Sequence, residues 1–387
     1  MEVTRRRVLG SLAAWAVAEW ASRHSFGLGR GRKGAGGPKA IVLAVGGIRS
    51  AESFSETGFA NIPHLHGELL PQATFFRHVR NAGVTSHFNT TSSIVTGNWQ
   101  RVDDWGRMPP ATPTVFEYMR KSLGLPRNDV WFISSNKALT SRIGASSSFG
   151  YGPDYGANVL FPKQMMIDAV VNAASHGREA HTASRAAMAP ELASMLDANN
   201  FEGLGWSVGG GAAAVDRRTK GAVLRAIEDL SRGASPVTGD EFTWLVALEV
   251  MHRFAPSVLV ITFSDVEVAH FGSYALHLAG IHGMDSLARE VWDEIQSDPH
   301  YRDQTTLFVL PEFGRDFDGS PTNGFFNHRF DNDCTRVTWM LCLGAGARAG
   351  ETVERPVQHV DICPTVASLW GLKLPPMQGM ALPEIRL

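Results

Sequence analysis

The sequence predicts an α/β chain, a three-layer sandwich with a mainly parallel central sheet, and three observations carry that expectation. Residues 40–45, 130–134, 258–263, 306–310 and 338–343 are short β-rich apolar runs, as in strands covered on both faces. Helical stretches at 114–122, 163–174, 222–231, 241–254, 283–295 and 362–370 lie among and after them. The 387 residues, 44% hydrophobic and 19% charged, suffice to bury a substantial core. In such sheets reactive groups collect just beyond the carboxyl ends of the strands. The segment that follows each apolar run is therefore where chemistry is sought.

Ahead of the first strand, Thr4-Arg5-Arg6-Arg7-Val8-Leu9-Gly10 opens a mostly apolar run from Val8 to Ala21. Glu19 interrupts this run, which is too short for an ordinary membrane span. It reads as a twin-arginine export signal, with Ala16-Val17-Ala18 the best cleavage candidate. The expected location is periplasmic or secreted, with no integral membrane segment after signal removal. Glycine- and arginine-rich residues 27–39 read as a flexible tether, so signal and tether take residues 1–38 and one domain takes 39–387. A formal charge of −2 gives no reason to expect nucleic acid as a partner. Cys334, Cys342 and Cys363 cannot all pair within one chain, so a disulfide scaffold is not expected.

The first strand runs directly into Gly46-Gly47-Ile48-Arg49, a tight strand-to-loop turn. Ser92-Ser93-Ile94-Val95-Thr96-Gly97 closes a helix further on. The stretch at about 139–235, with glycine-rich turns at 150–156 and 203–211, reads as an elaboration or cap over the strand ends. The strand at 258–263 is followed by Ser264-Asp265-Val266-Glu267-Val268-Ala269-His270, and that at 306–310 by Pro311-Glu312-Phe313-Gly314-Arg315. Asn327-His328-Arg329 comes next, then Asp361-Ile362-Cys363-Pro364-Thr365 with Leu369-Trp370-Gly371-Leu372. Gly344-Ala345-Gly346 lacks the rest of a dinucleotide fingerprint.

Taken in order, these segments resemble the alkaline phosphatase superfamily, which includes sulfatases and phosphodiesterases. The resemblance runs from Lys39 to the neighbourhood of Leu382 and is strongest locally at Asp361 to Thr365, an architectural segment. It implies an alkaline-phosphatase-like fold and hydrolysis of small-molecule phosphate or sulfate esters at a metal centre on the strand ends. Several ligand positions differ from the family pattern. Gly46 stands where the first strand would end in a metal-binding aspartate, and Phe313 where an Asp-His pair would supply its histidine. The position of the family nucleophile, nine before Thr96, holds His87, and Thr85, Ser86, Thr90 or Thr91 could supply a hydroxyl instead. His270 matches a metal-binding histidine, but the position four before it is Val266, with Asp265 and Glu267 on either side as candidate carboxylates. His328 matches the last family histidine, and Arg315, with Arg49, is a candidate anion clamp.

The candidate set is thus His87, Thr91 and Arg315 as catalytic residues and Asp265, His270, Glu312 and His328 as metal ligands. Imidazole and oxygen donors suit zinc or manganese, and the surviving ligands suffice for one ion rather than two. Two functional classes follow: a metal-dependent ester hydrolase with a reduced site, or a binding or structural protein that kept the fold and lost the chemistry.

Overall fold

The computed structural model describes residues 36–101, 108–163 and 238–387. The export motif, the helix expected at 222–231, nearly all of that at 163–174 and the 164–235 part of the elaboration lie outside the described residues.

Among the described residues nine strands form one sheet: β1 (Lys39–Val45), β2 (Ala73–Arg80), β3 (Val130–Ser134), β4 (Asn158–Leu160), β5 (Val258–Phe263), β6 (Thr305–Pro311), β7 (Val337–Gly344), β8 (Glu351–Val353) and β9 (Val357–Gln358). Their order is β4-β3-β5-β1-β6-β7-β2-β8, with β9 also on β2. All pairs are parallel except those of β7, which runs antiparallel to both β6 and β2. The five apolar runs of the sequence correspond to β1, β3, β5, β6 and β7. Strand β2 was not expected, because Arg77, His78 and Arg80 break its apolar run where its far end comes to the surface.

The longer helices among the described residues are α1 (His87–Thr96), α2 (Val115–Leu123), α3 (Gly239–Phe254), α4 (Tyr274–Ser297) and α5 (Ile362–Ser368). Successive strand residues point to opposite faces. In β1, Ile41, Leu43 and Val45 pack into a core with Trp244 and Met251 of α3 and Met284 and Val291 of α4. Ala40, Val42 and Ala44 pack into a second core with Phe88 of α1, Phe116 of α2 and Ile362 of α5. The sheet is therefore the middle of three layers. Each fully buried aliphatic side chain contributes about 1.5–3 kcal/mol of transfer free energy, which is why the middles of the central strands are apolar and their few polar residues sit at or next to the ends.

Helix boundaries follow local chemistry. Reciprocal capping boxes start α2 (Thr114 with Glu117) and α3 (Thr238 with Glu241). Gly97, at φ +70°, ends α1 in the left-handed conformation. Helix α4 begins well before the expected position 283, because Gly280 and Gly283 lower helix propensity in its first half. Gly280 has a packing reason: a Cβ there would come 3.1 Å from both the N and Cα of Val266, so a larger residue would push α4 away from the turn after β5 by a few tenths of an ångström. The three cysteines are free. Among the described residues no helix is long and apolar enough to cross a membrane.

Candidate metal centre

Strand register assembles the site. Val45 of β1 pairs with Phe263 of β5 on one side and Pro311 of β6 on the other, so the chain leaves the sheet at Gly46, Ser264 and Glu312 side by side. After β5 the backbone winds into a 3-10 turn, Asp265–Phe271. In a 3-10 helix residues three apart eclipse, which stacks Glu267 and His270 on one face. His87, the first residue of α1, and His328, from the long loop after β6, complete the group. Gly314 permits that loop to pass close by, since a Cβ there would overlap the Cys334 carbonyl.

Four side chains, His87, Glu267, His270 and His328, each present one donor atom such that all four lie within 4.8 Å of one another. Glu267 Oε2 is 3.0 Å from His270 Nε2, 3.3 Å from His87 Nε2 and 3.9 Å from His328 Nε2, and the His270 and His328 Nε2 atoms are 3.2 Å apart. A tetrahedral ion with ligand bonds near 2.0–2.1 Å separates its donors by about 3.3 Å, so these spacings fit one ion. Two of the four atoms, His87 Nε2 and Glu267 Oε2, are buried without a hydrogen bond of good geometry.

The surroundings orient each donor. His328 Nδ1 donates to the Thr85 carbonyl at 2.7 Å, and because a carbonyl only accepts, Nε2 carries the free lone pair. His87 Nδ1 donates to Glu312 Oε2 at 2.6 Å, and Thr91, one turn along α1, donates its hydroxyl to the other Glu312 oxygen. Glu267 Oε1 accepts the Gly47 N–H at 2.7 Å, and Arg315 Nη2 stands 2.7 Å from Oε2. Such partners are what hold metal-ligating imidazoles and carboxylates in place.

Electrostatics sorts the group into charged and neutral members. Burial pushes the Glu267 carboxyl upward, but Arg315 first and His87 second outweigh it and hold the group well below the usual range. Burial disfavours a charged His87, yet the carboxylates of Glu267 and Glu312 reverse this and raise it well above 6.5, so an ion bound at Nε2 would have to displace that proton. His328 is driven well below 6.5, mainly by burial, and stays neutral.

The candidates named from the sequence divide as follows. His87, His270 and His328 converge, while Glu312 and Thr91 stand behind His87. Asp265 is not brought into the group: its carboxylate accepts the Asp240 N–H at the start of α3 at 3.0 Å, and Glu267, weighed beside it, faces the histidines instead. The turn decides between them, since position 267 is one 3-10 turn from His270 and position 265 is not. Arg315, read as an anion clamp, is fully buried and turned inward, with its Nε donating to Gly47 O at 2.9 Å and its Nη1 to Phe325 O at 3.3 Å. It braces Glu267. Arg49 is likewise engaged, with Glu52 and with Asp318 at 2.9 Å. Phe313 stacks on His328 with centroids 4.2 Å apart.

His277 of α4, which had no motif to mark it, supports the same turn. Its Nδ1 donates to the Val266 carbonyl at 2.9 Å, and burial, followed by the charge of Arg315, lowers its pKa from 6.5 to about 4. The folded chain thus leaves His277 neutral where the unfolded chain protonates it, so stability is lost as pH falls from about 6.5 towards about 4, by about 3 kcal/mol in all. Urea unfolding of wild type and His277→Gln should show a stability difference that narrows between pH 7 and pH 4.5. A difference independent of pH would show that His277 is solvated or already charged.

No family model and no curated protein matches the chain by sequence. Solved structures do match its fold. A phosphonate monoester hydrolase from Silicibacter pomeroyi aligns over 89% of this chain and 76% of its own, with 15% identity and a TM-score of 0.55. The lipoteichoic acid synthase LtaP from Listeria monocytogenes aligns over 91% and 76%, at 13% identity and TM-score 0.52. A 2-O GAG sulfatase aligns over 89% and 73%, at 12% identity and TM-score 0.51. Strand order, three-layer packing and these likenesses agree that the chain has the fold of the alkaline phosphatase superfamily.

Proposed function

We propose that this chain is an exported, metal-dependent hydrolase of small phosphate or sulfate esters that works with a single divalent ion, zinc or manganese. The observation that carries the proposal is the convergence of four donor atoms within 4.8 Å at the carboxyl ends of β1, β5 and β6. A bound ion supplies Lewis acidity that polarises a phosphoryl or sulfuryl oxygen. The chain's own part is to hold and aim the ligands. Arg315 and the Gly47 N–H fix the two oxygens of Glu267, the Thr85 carbonyl sets the His328 tautomer, and Glu312 orients His87. Substrate approaches from the side of His270 and Glu267, whose side chains keep 11% and 10% of their surface exposed while His328 keeps none. Both nitrogens of His87 face carboxylates and the Thr91 hydroxyl is committed to Glu312, so the attacking group is water rather than either side chain. Export rests on Arg5-Arg6 and the apolar run after them.

The buried, internally satisfied Arg315 and Thr91 and the apolar ring of Phe313 favour a second reading, a binding or structural protein without turnover. One experiment separates the two. Protein recovered from cell fractions is analysed for metal, then assayed with aryl phosphate mono- and diesters and an aryl sulfate in Zn²⁺ or Mn²⁺. The hydrolase reading expects one ion per chain, turnover of at least one ester and protein outside the cytoplasm. Metal-free protein inert to every ester would favour the binding protein, and a mature chain found only in the cytoplasm would remove export.

A further inference from the structure

Gly46 is not a glycine for conformational reasons, since its φ is not among the positive values in this chain. Space is the constraint. A Cβ at position 46 would overlap Glu267 Oε1 and lie 2.9 Å from Val266 Cγ2 and 3.1 Å from Glu267 Cδ. The Glu267 carboxylate cannot simply swing aside, because Gly47 N–H and Arg315 hold its two oxygens at 2.7 Å each and His270 stands 3.0 Å away.

We propose that positions 46 and 267 are alternative seats for the one carboxylate of this centre, and that residue 46 is glycine because Glu267 already fills the shared volume. A side chain grown from the end of β1 starts inside the space of the Glu267 carboxylate, the group that itself faces the histidines and Arg315. One seat must be vacated before the other can be used. The ligand role of the carboxylate rests on the metal reading above, whereas the exclusion of one seat by the other is a matter of volume and charge alone.

The test is a change of sign. In the wild-type background Gly46→Asp is expected to lower the Tm by at least about 5 °C, through overlap and a second carboxylate beside the first. In the Glu267→Ala background the same substitution should raise the Tm, because the new carboxylate re-pairs the buried Arg315, and it should return zinc that the single Glu267→Ala variant has lost. Gly46→Asp lowering the Tm in both backgrounds would overturn the proposal. Should Glu267→Ala fail to fold, Gly46→Ala is compared in wild type and in Glu267→Asp, whose carboxylate is withdrawn by one methylene. A clearly smaller Tm loss in Glu267→Asp supports shared volume, and equal losses refute it. Sign reversal with no zinc bound by any variant, wild type included, would uphold the exchange and separately remove the metal reading. Zinc bound by wild type without sign reversal would do the opposite.

Discussion

Converting both His270 and His328 to alanine is expected to weaken zinc binding by about four orders of magnitude and to abolish ester hydrolysis. Four-ligand zinc sites bind with about 10–16 kcal/mol, so each ligand carries about 3 kcal/mol, or about a hundredfold in affinity, and two carry the square of that. The pair is the informative choice because their Nε2 atoms lie 3.2 Å apart and the His328 tautomer leaves its lone pair facing the group. Zinc titration of apo protein monitors the effect directly, with thermal unfolding in chelator as the control for folding. Zinc affinity within tenfold of wild type would show that the ion is held elsewhere, and turnover that survives the double substitution would place the chemistry on other residues.

Arg315→Met should destabilise the protein by about 3–5 kcal/mol at pH 7, since it leaves the Glu267 carboxylate buried without its first counter-charge. Methionine matches much of the arginine stem, which keeps the loss of packing small. The sign of the pH dependence is specific. Glu267 has its folded pKa held well below 4.5, so its stabilising contribution is present above that value and is lost as pH falls through the lower folded one. The gap between wild type and variant is therefore widest above about pH 5 and closes in acid. Urea unfolding at pH 7 and pH 4 measures both. An unchanged midpoint at pH 7 would mean that Glu267 is neutral, or paired well enough by His87 and His270 without Arg315.

Much of the fold was legible in linear form. Strands β1, β5 and β6 are buried on both faces, so nearly every residue between their ends is apolar, Thr262 and Thr306 being the exceptions, and the runs stand out at 40–45, 258–263 and 306–310. Strand β2 escaped notice because its surface end carries Arg77, His78 and Arg80, and the first half of α4 because Gly280 and Gly283 are poor helix formers. His270 and His328 could be named because the motifs around them resemble those that carry metal-binding histidines in the alkaline phosphatase superfamily.

What the sequence by itself determined was the layer architecture and the residue types available at the strand ends, because periodicity, capping and burial act between neighbours in the chain. The choice of partners was decided only in three dimensions. Glu312 meets His87 across 225 positions and Gly47 meets Glu267 across 220, contacts set by the pairing of Val45 with Phe263 and Pro311. Glu267 rather than Asp265 joins the histidines because the turn after β5 is 3-10 in pitch and α4 packs on it at Gly280. Arg315 faces inward for a related reason: a buried carboxylate without a counter-charge costs several kcal/mol, and the tertiary structure places this guanidinium within reach of Glu267.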